Sequence, residues 1–516
     1  MLIGTVCLAA AAAIGGDLPA GATDWAEKDF VHPPLKCLEP YRRIDEYPVS
    51  AWCFHGIEAA KSPYGEAYVR NAKAVGFNVL IDDERIIPYA EKVGGVKVQL
   101  VTLSGGKWRG PDWLEAHILK GTVGDSPVLQ GVIMGDNSRG WSALSITTAT
   151  WLKENYPHIM PILSQYPAPL RGNTPLRILH MQNYPFMRGR SRNPPNHYMF
   201  QCNINRLGVN ANDMALWECY AGDASYSRVR FQMMAAMAYG AQGLSNFCYS
   251  PHRMPDYKPG SPMIPMWKKL HTYVIKVLGR HVWGTRSMDV IHAPHGGEHT
   301  NATRPAKDKP VVAMSDYLMA GLLTPEAKFL SKDPADREIP EYFMVVDKRS
   351  GGNTPEARDV YVMLSPKVAA VELIDAEATG EAGKVRKIVP PYKVRLKLEG
   401  GDAVLLRVAP DLEALLGGKD GLSLYAKVNR EMAELQWKLA EAAEPAEGKP
   451  AAAVAEREVQ ATVSAARKQV EELKGILGAA VKAGKISQAQ AEDTIARLKA
   501  AIDATAADAK APPKKQ

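Results

Sequence analysis

From residue 49 to residue 249, short apolar runs alternate with stretches of helical spacing, and most apolar runs end in polar or acidic residues. The first strand is predicted over 49–57, ending near His55, Gly56 and Glu58. A helix over 64–74 follows and Gly76 stops it. Strand two, 77–81, is tipped by Asp82, Asp83 and Glu84, and a helix over 87–93 leads to strand three, 96–103. Its glycine-rich exit, which carries Trp108, fits no phosphate-loop spacing. After a helix over 113–120, strand four runs from Val128 to Met134 and ends in Gly135, Asp136 and Asn137. A helix over 143–155 precedes strand five, 159–163, which ends at Ser164, Gln165 and Tyr166. Strand six, 176–181, ends at Gln182, Asn183 and Tyr184, and a helix is predicted over 198–207. Strand seven, 214–217, carries Glu218 at its tip. A Met/Ala-rich helix, 228–239, reads as core, and strand eight, 243–247, ends near Tyr249 and His252.

Strands apolar throughout, alternating with helices, indicate a parallel sheet covered on both faces. Eight such units predict an α/β fold, a (β/α)8 TIM barrel spanning 23–285. A helix over 263–282 leaves the barrel, and the texture then changes. Runs at 311–323, 342–346, 359–364, 370–374, 392–398 and 403–408 lack intervening helices, and Gly-rich turns separate some of them. They predict an antiparallel β-sandwich over 286–410. Residues 411–516 form an Ala/Glu/Lys-rich helical tail, with helical spacing over 424–443 and 454–504 and a disordered Pro/Lys end. The tail reads as a helical hairpin or short coiled coil, for homo-oligomerisation or packing on the body, or as a solvated appendage.

Residues 1–22 are Ala-rich and close on Ala20-Gly21-Ala22, the form of a secretory signal without the usual basic start; the alternative is a buried helix. A secreted or periplasmic location is expected, with no later membrane span. The 516 residues, 46% hydrophobic and 23% charged, suffice for a sizeable core. A net charge of +7 with scattered basic residues excludes a nucleic-acid surface. The six cysteines show no zinc-ligand spacing, and no cofactor or metal is expected.

In a (β/α)8 barrel, residues at the C-terminal strand ends line the mouth. Asp136 and Glu218 would therefore flank one bond, as glycoside hydrolysis requires of two carboxyl groups. Against this, Asp136 could cap the next turn, and Glu218 could pair with Arg228 or Arg230. The acidic triplet at Asp82 suits a helix cap better than a cation. Trp108, Trp141, Tyr166, Tyr184, Phe186, Trp217, Tyr220 and Tyr249 gather at the same predicted mouth, with the amides Asn137, Gln165, Gln182 and Asn183. Such a set fits a carbohydrate, although some of these aromatics would be core. His55, Glu58 and Asp82 complete the predicted substrate-binding residues. Arg188, Arg190 and Arg192 hint at an acidic or sulfated glycan.

The stretch 49–408 resembles secreted bacterial glycoside hydrolases with catalytic acids on strands four and seven, nearest the family 42-like β-galactosidase group. The resemblance lies in 228–246 closing on Phe247 and Tyr249, in Tyr342-Phe-Met-Val-Val-Asp347, and in Gly400-Gly-Asp-Ala-Val-Leu-Leu406. It implies Asp136 as acid/base and Glu218 as nucleophile. The family carries Asn-Glu, or in looser relatives Asp-Glu-Pro, where this chain has Gly135-Asp136-Asn137. A secreted glycoside hydrolase is the leading expectation. The alternatives are a non-catalytic carbohydrate-binding barrel and a structural envelope protein assembled through the tail.

Overall fold

The computed structural model describes residues 30–41, 43–53, 65–101, 110–119, 121, 123–138, 143–165, 176–183, 194–222, 224–251, 255–295, 302–350, 356–374, 386–408, 411–443 and 456–510. Eight parallel strands close into a barrel in chain order. They are β1 (Val49–Cys53), β2 (Val79–Asp82), β3 (Lys97–Val101), β4 (Leu129–Ser138), β5 (Met160–Gln165), β6 (Ile178–Gln182), β7 (Ala215–Ala221) and β8 (Gly243–Tyr249). Closure pairs Ser50 of β1 with Ser245 of β8. Around the strands lie α1 (Gly65–Val75), α2 (Ile87–Val93), α3 (Gly110–Leu114), α4 (Ala143–Asn155), α5 (Pro194–Ala211), α6 (Tyr226–Ala238), α7 (Ile264–Tyr273) and α8 (Gly279–Val282). The predicted TIM barrel is the observed fold.

Helix α6 explains its own composition. Met233, Met234, Ala235, Ala236, Met237 and Ala238 are all buried, because the barrel wall covers one side and a β-sheet the other. That sheet has six antiparallel strands in the order β15-β14-β17-β12-β11-β9, facing a second sheet of β10-β13-β16. The strands are β9 (Thr285–His292), β10 (Val311–Met314), β11 (Leu318–Pro325, followed by α9, Glu326–Phe329), β12 (Tyr342–Asp347), β13 (Arg358–Leu364), β14 (Val371–Ile374), β15 (Lys387–Val389), β16 (Val394–Leu398) and β17 (Ala403–Arg407). Alternation splits the six-stranded sheet between two cores. Met319, Met344 and Leu405 join the barrel core, while Ala320, Phe343 and Leu406 meet Val360, Val362 and Leu396 of the small sheet. The single run expected over 311–323 is two strands in different sheets, broken at Tyr317, whose φ is 62°.

The tail comprises α10 (Leu412–Leu415), α11 (Lys419–Ala443), α12 (Glu456–Lys482) and α13 (Gln488–Asp508). The helix expected over 454–504 breaks at Gly484, where φ is +68°, and Ser487 caps α13 by accepting from Gln490 N. Val463, Val470, Leu473 and Leu477 of α12 bury against Tyr425, Val428 and Met432 of α11 and Leu498 and Ile502 of α13. The same cluster takes in Ile388 and Tyr392 of the sandwich, and Arg386 N donates to Gln490 Oε1 at 2.8 Å. The tail is thus a helical layer packed on the body, neither a solvated appendage nor, among the described residues, a stripe left open for assembly. Leu473→Ala should cost about 2–5 kcal/mol of its stability, read as an earlier urea midpoint for this layer. Among the described residues no helix is long and apolar enough to cross a membrane.

Candidate functional site

The barrel lumen is fixed by one ring contact. Trp52 of β1 and His180 of β6 lie 5.5 Å apart between centroids, and strands so far apart around a closed barrel meet only across its interior. Strand register extends the inward set. His180 lies opposite Trp217, Gln182 opposite Cys219, and Trp52 opposite Phe247. Ser164 Oγ lies 3.1 Å from His180 Nδ1, and Gln182 Nε2 donates to Ser164 Oγ at 2.8 Å. Deeper in, Gln99 Nε2 donates to Gln130 Oε1 at 2.8 Å, and the Ser50 and Ser245 hydroxyls meet at 2.6 Å. Burial holds the His180 imidazole down at about 3, so it is neutral at ordinary pH. Under the mouth, the lumen therefore presents an amide–hydroxyl–imidazole chain flanked by indole and phenyl rings.

Glu218 does not belong to it. Strand β7 continues to Ala221, which makes Glu218 a mid-strand residue rather than a tip. Because Trp217 and Cys219 face inward, alternation turns Glu218 outward onto α5. There Asn205 Nδ2 donates to Glu218 Oε1 at 2.7 Å, and the Cys202 thiol lies beside the carboxyl. Tyr198, Cys202 and Asn205 form the buried stripe of α5 that receives it. Burial pushes the carboxyl up to about 8, with Asn205 and Cys202 opposing. Neither suggested arginine reaches it: Arg230 pairs with Glu399 at 2.9 Å and Arg228 donates to Ser350 O at 3.3 Å. Reading β7 as ending at Trp217 placed Glu218 at a tip; the apolar run resumes after it.

Other expected site residues are placed as follows. Trp217 faces inward but is fully buried, its indole lying where a Cβ on Gly243 would stand 2.8 Å away, so it fills the barrel. Tyr249 is also core: its hydroxyl accepts from Asn71 at 2.5 Å and its ring packs on Tyr68 and Tyr257. Tyr220 turns outward to His271. Asp82 ends β2 buried, with Oδ1 accepting from Asp83 N at 2.9 Å, and burial pushes its carboxyl up to about 8. Asp83 caps the turn that follows by accepting from Arg85 N, as a helix-capping triplet should. Among the described residues no group of His, Cys, Asp or Glu could hold a metal ion. The backbones of Asp136 and Asn137 lie in β4, and that of Gln165 in β5, while their side chains lie outside the described residues. His55, Glu58, Trp108, Trp141, Tyr166 and Tyr184 also lie outside the described residues. Sequence reasoning put Ser164 at a strand end but missed Trp52 and His180 as lumen groups, and Asn205 as the partner of Glu218. Polar residues inside otherwise apolar strands were the available signal.

The fold and lumen define a TIM-barrel protein with an appended β-sandwich. Among solved structures the chain is similar to a GH30 endoxylanase from Clostridium papyrosolvens C71, at 10% identity and a TM-score of 0.35, over 74% of this chain and 98% of that one. It is similar to a β-galactosidase from Rahnella sp. R3, at 10% identity and a TM-score of 0.37, over 51% of this chain and 59% of that one. It is also similar to Gan42B, a GH42 β-galactosidase from G. stearothermophilus, at 10% identity and a TM-score of 0.34, over 49% and 58%. The chain thus spans little more than half of either β-galactosidase, and a likeness this remote assigns neither family nor reaction. No protein-family model and no curated protein matches the chain.

Proposed function

We propose that the protein binds carbohydrate at the C-terminal mouth of its barrel and does not hydrolyse it through an Asp136–Glu218 pair. The observation that supports this reading is the outward turn of Glu218 into α5, which removes one of the two carboxyls that glycoside hydrolysis sets about one bond. Gln182, Ser164 and His180, beside Trp52 and Phe247, form a buried polar and aromatic floor under that mouth, on which residues of the strand-end loops would hold the sugar. We also propose export, on the resemblance of residues 1–22 to a secretory signal, and N-terminal sequencing of the protein recovered outside the cytoplasm tests it.

A second reading keeps hydrolysis, with Asp136 as the acid and another carboxyl as its partner. What favours it is the length of β4, which runs to Ser138 and so brings Asp136 to the C-terminal end of the barrel. Calorimetric titration and product analysis over a glycan panel separate the two, using the parent, Glu218→Gln and Asp136→Asn. We expect glycan binding without cleavage, unchanged in Glu218→Gln. Cleavage lost only in Asp136→Asn would install the second reading. Cleavage falling by several orders of magnitude in Glu218→Gln would overturn both.

A further inference from the structure

Residues 30–36 cross the join between α8 and the six-stranded sheet. Phe30 stacks on Trp283, with centroids 4.8 Å apart, and Val31 N donates to Arg280 O at 2.9 Å. Lys36 N donates to Glu326 Oε2 at 2.6 Å. At Gly284, whose φ is +76°, a Cβ would stand 1.9 Å from the Pro33 carbonyl oxygen, so the strap lies directly on the backbone beneath it.

The polar centre of this contact is one phenol shared by two imidazoles. His32 Nε2 lies 2.7 Å from the Tyr342 hydroxyl, and His281 Nδ1 lies 3.4 Å from the same oxygen. Tyr342 has one proton to give. His32 Nε2 and the Glu341 carboxylate both compete for it, and His281 donates its Nδ1–H to the phenol oxygen. A proton on His32 would reverse its bond to Tyr342 and bury a third cation beside Arg407 and Lys328.

Burial and the nearby cations oppose a proton on His32, and the Glu341 carboxylate alone favours one. His32 faces Glu341, 3.5 Å from Nε2, and the cations Arg407 and Lys328. Lys328 and Arg407 already lean on Glu341, at 3.6 and 3.8 Å. His281 faces Arg407, Arg280, Arg386 and His32, while Tyr342 faces Glu341, Glu372 and Arg407. Burial and then these cations hold His32 down at about 4 and His281 at about 3.

We propose that His32, Tyr342 and His281 form an acid-released latch that holds residues 30–36 across the barrel–sandwich join. The latch is independent of the carbohydrate reading. Once the strap is released, His32 returns towards its ordinary value of 6.5, while His281, still facing Arg407, Arg280 and Arg386, rises only in part, so opening takes up protons. The latch is fully closed above that value and weakens as pH falls towards 4. With the His32 imidazole titrating, the open population rises about tenfold per pH unit, and more steeply to the extent that His281 also takes up a proton.

Hydrogen exchange on the full chain, corrected for intrinsic rates, tests this between pH 7 and pH 3.5. Peptides covering 30–41 should lose protection at least tenfold below about pH 5, while β11 and β12 stay protected. His32→Gln, which cannot charge, should keep the strap protected over the same range. Release at the same pH in parent and variant, or no release in the parent before β12 opens, overturns the latch. If His32→Gln is already open at pH 7, His281→Gln decides: a midpoint moved to lower pH supports the latch, and an unmoved midpoint overturns it.

Discussion

Glu218→Gln should raise the melting temperature at pH 9 and leave it almost unchanged at pH 4. The Glu218 carboxyl sits at about 8 in the folded chain, above its ordinary 4.5, because it is sealed between β7 and α5. Between those values the folded chain keeps a proton that the unfolded chain has released. Stability is therefore complete below about 4.5 and is lost as pH rises through about 8, by about 1.4 kcal/mol per pH unit. Glutamine keeps the shape and an oxygen for Asn205 to donate to, but has no proton to lose. A gain of a few kcal/mol at pH 9 is expected, read by calorimetry as the difference between variant and parent. The comparison must be a difference, because Asp82 has the same sign and lowers the alkaline stability of both. Equal melting temperatures at pH 9 would mean that water or an unassigned cation already serves the ionised carboxyl. Ligand binding should not change in the variant.

The barrel was legible because parallel strands covered on both faces have no choice of side chain. β1, β2 and β6 are buried at every position, and such runs stand out against the helices between them. Strand ends were less legible, and β7 shows why. In Trp217-Glu-Cys-Tyr-Ala221 an acid interrupts an apolar run, which looks like a terminus when only local polarity is read. The interruption is paid for by Asn205, thirteen residues earlier on another element, and no local pattern reveals a partner across such a gap. The break at Gly484 was similarly hidden. Helical spacing continues on both sides of it, and only the positive φ turns α12 back into α13.

The candidate site was partly legible. Gln182 was expected at the mouth and does face the lumen, where it bonds Ser164. His180 drew no reading of its own, although its neighbours Leu179 and Met181 are apolar and it is the polar residue between them. Parity decides such cases. Once Trp52 and His180 are known to face each other, every second residue on each regular strand follows, and Glu218 falls on the wrong side. Aromatic count could not make that distinction, since Trp217 and Tyr249 serve the core on opposite sides of the wall.

Gly321→Ala should cost about 3 kcal/mol and loosen the sandwich from the barrel. A Cβ at Gly321 on β11 would lie 2.3 Å from Ala238 O, 2.7 Å from its Cα and 2.8 Å from its carbonyl carbon. All three are backbone atoms at the end of α6, so no rotamer change relieves them, and the sheet must retreat as a body. Retreat uncovers the face that Met319, Met344 and Leu405 share with the barrel core. Overpacking of this kind typically costs 1–3 kcal/mol, and a rigid neighbour places it at the upper end. The double variant Gly321→Ala, Ala238→Gly tests the cause. Removing the Ala238 methyl restores nothing if the clash is with the α6 backbone, whereas substantial recovery would show that side-chain crowding sets the cost. Gly475→Ala is the control: on α12, with nothing within 4 Å of its Cβ, it should gain up to about 1 kcal/mol through helix propensity. Opposite signs from the same chemical change, read as denaturant midpoints of the full chain, would locate the requirement for glycine at the seam between barrel and sheet.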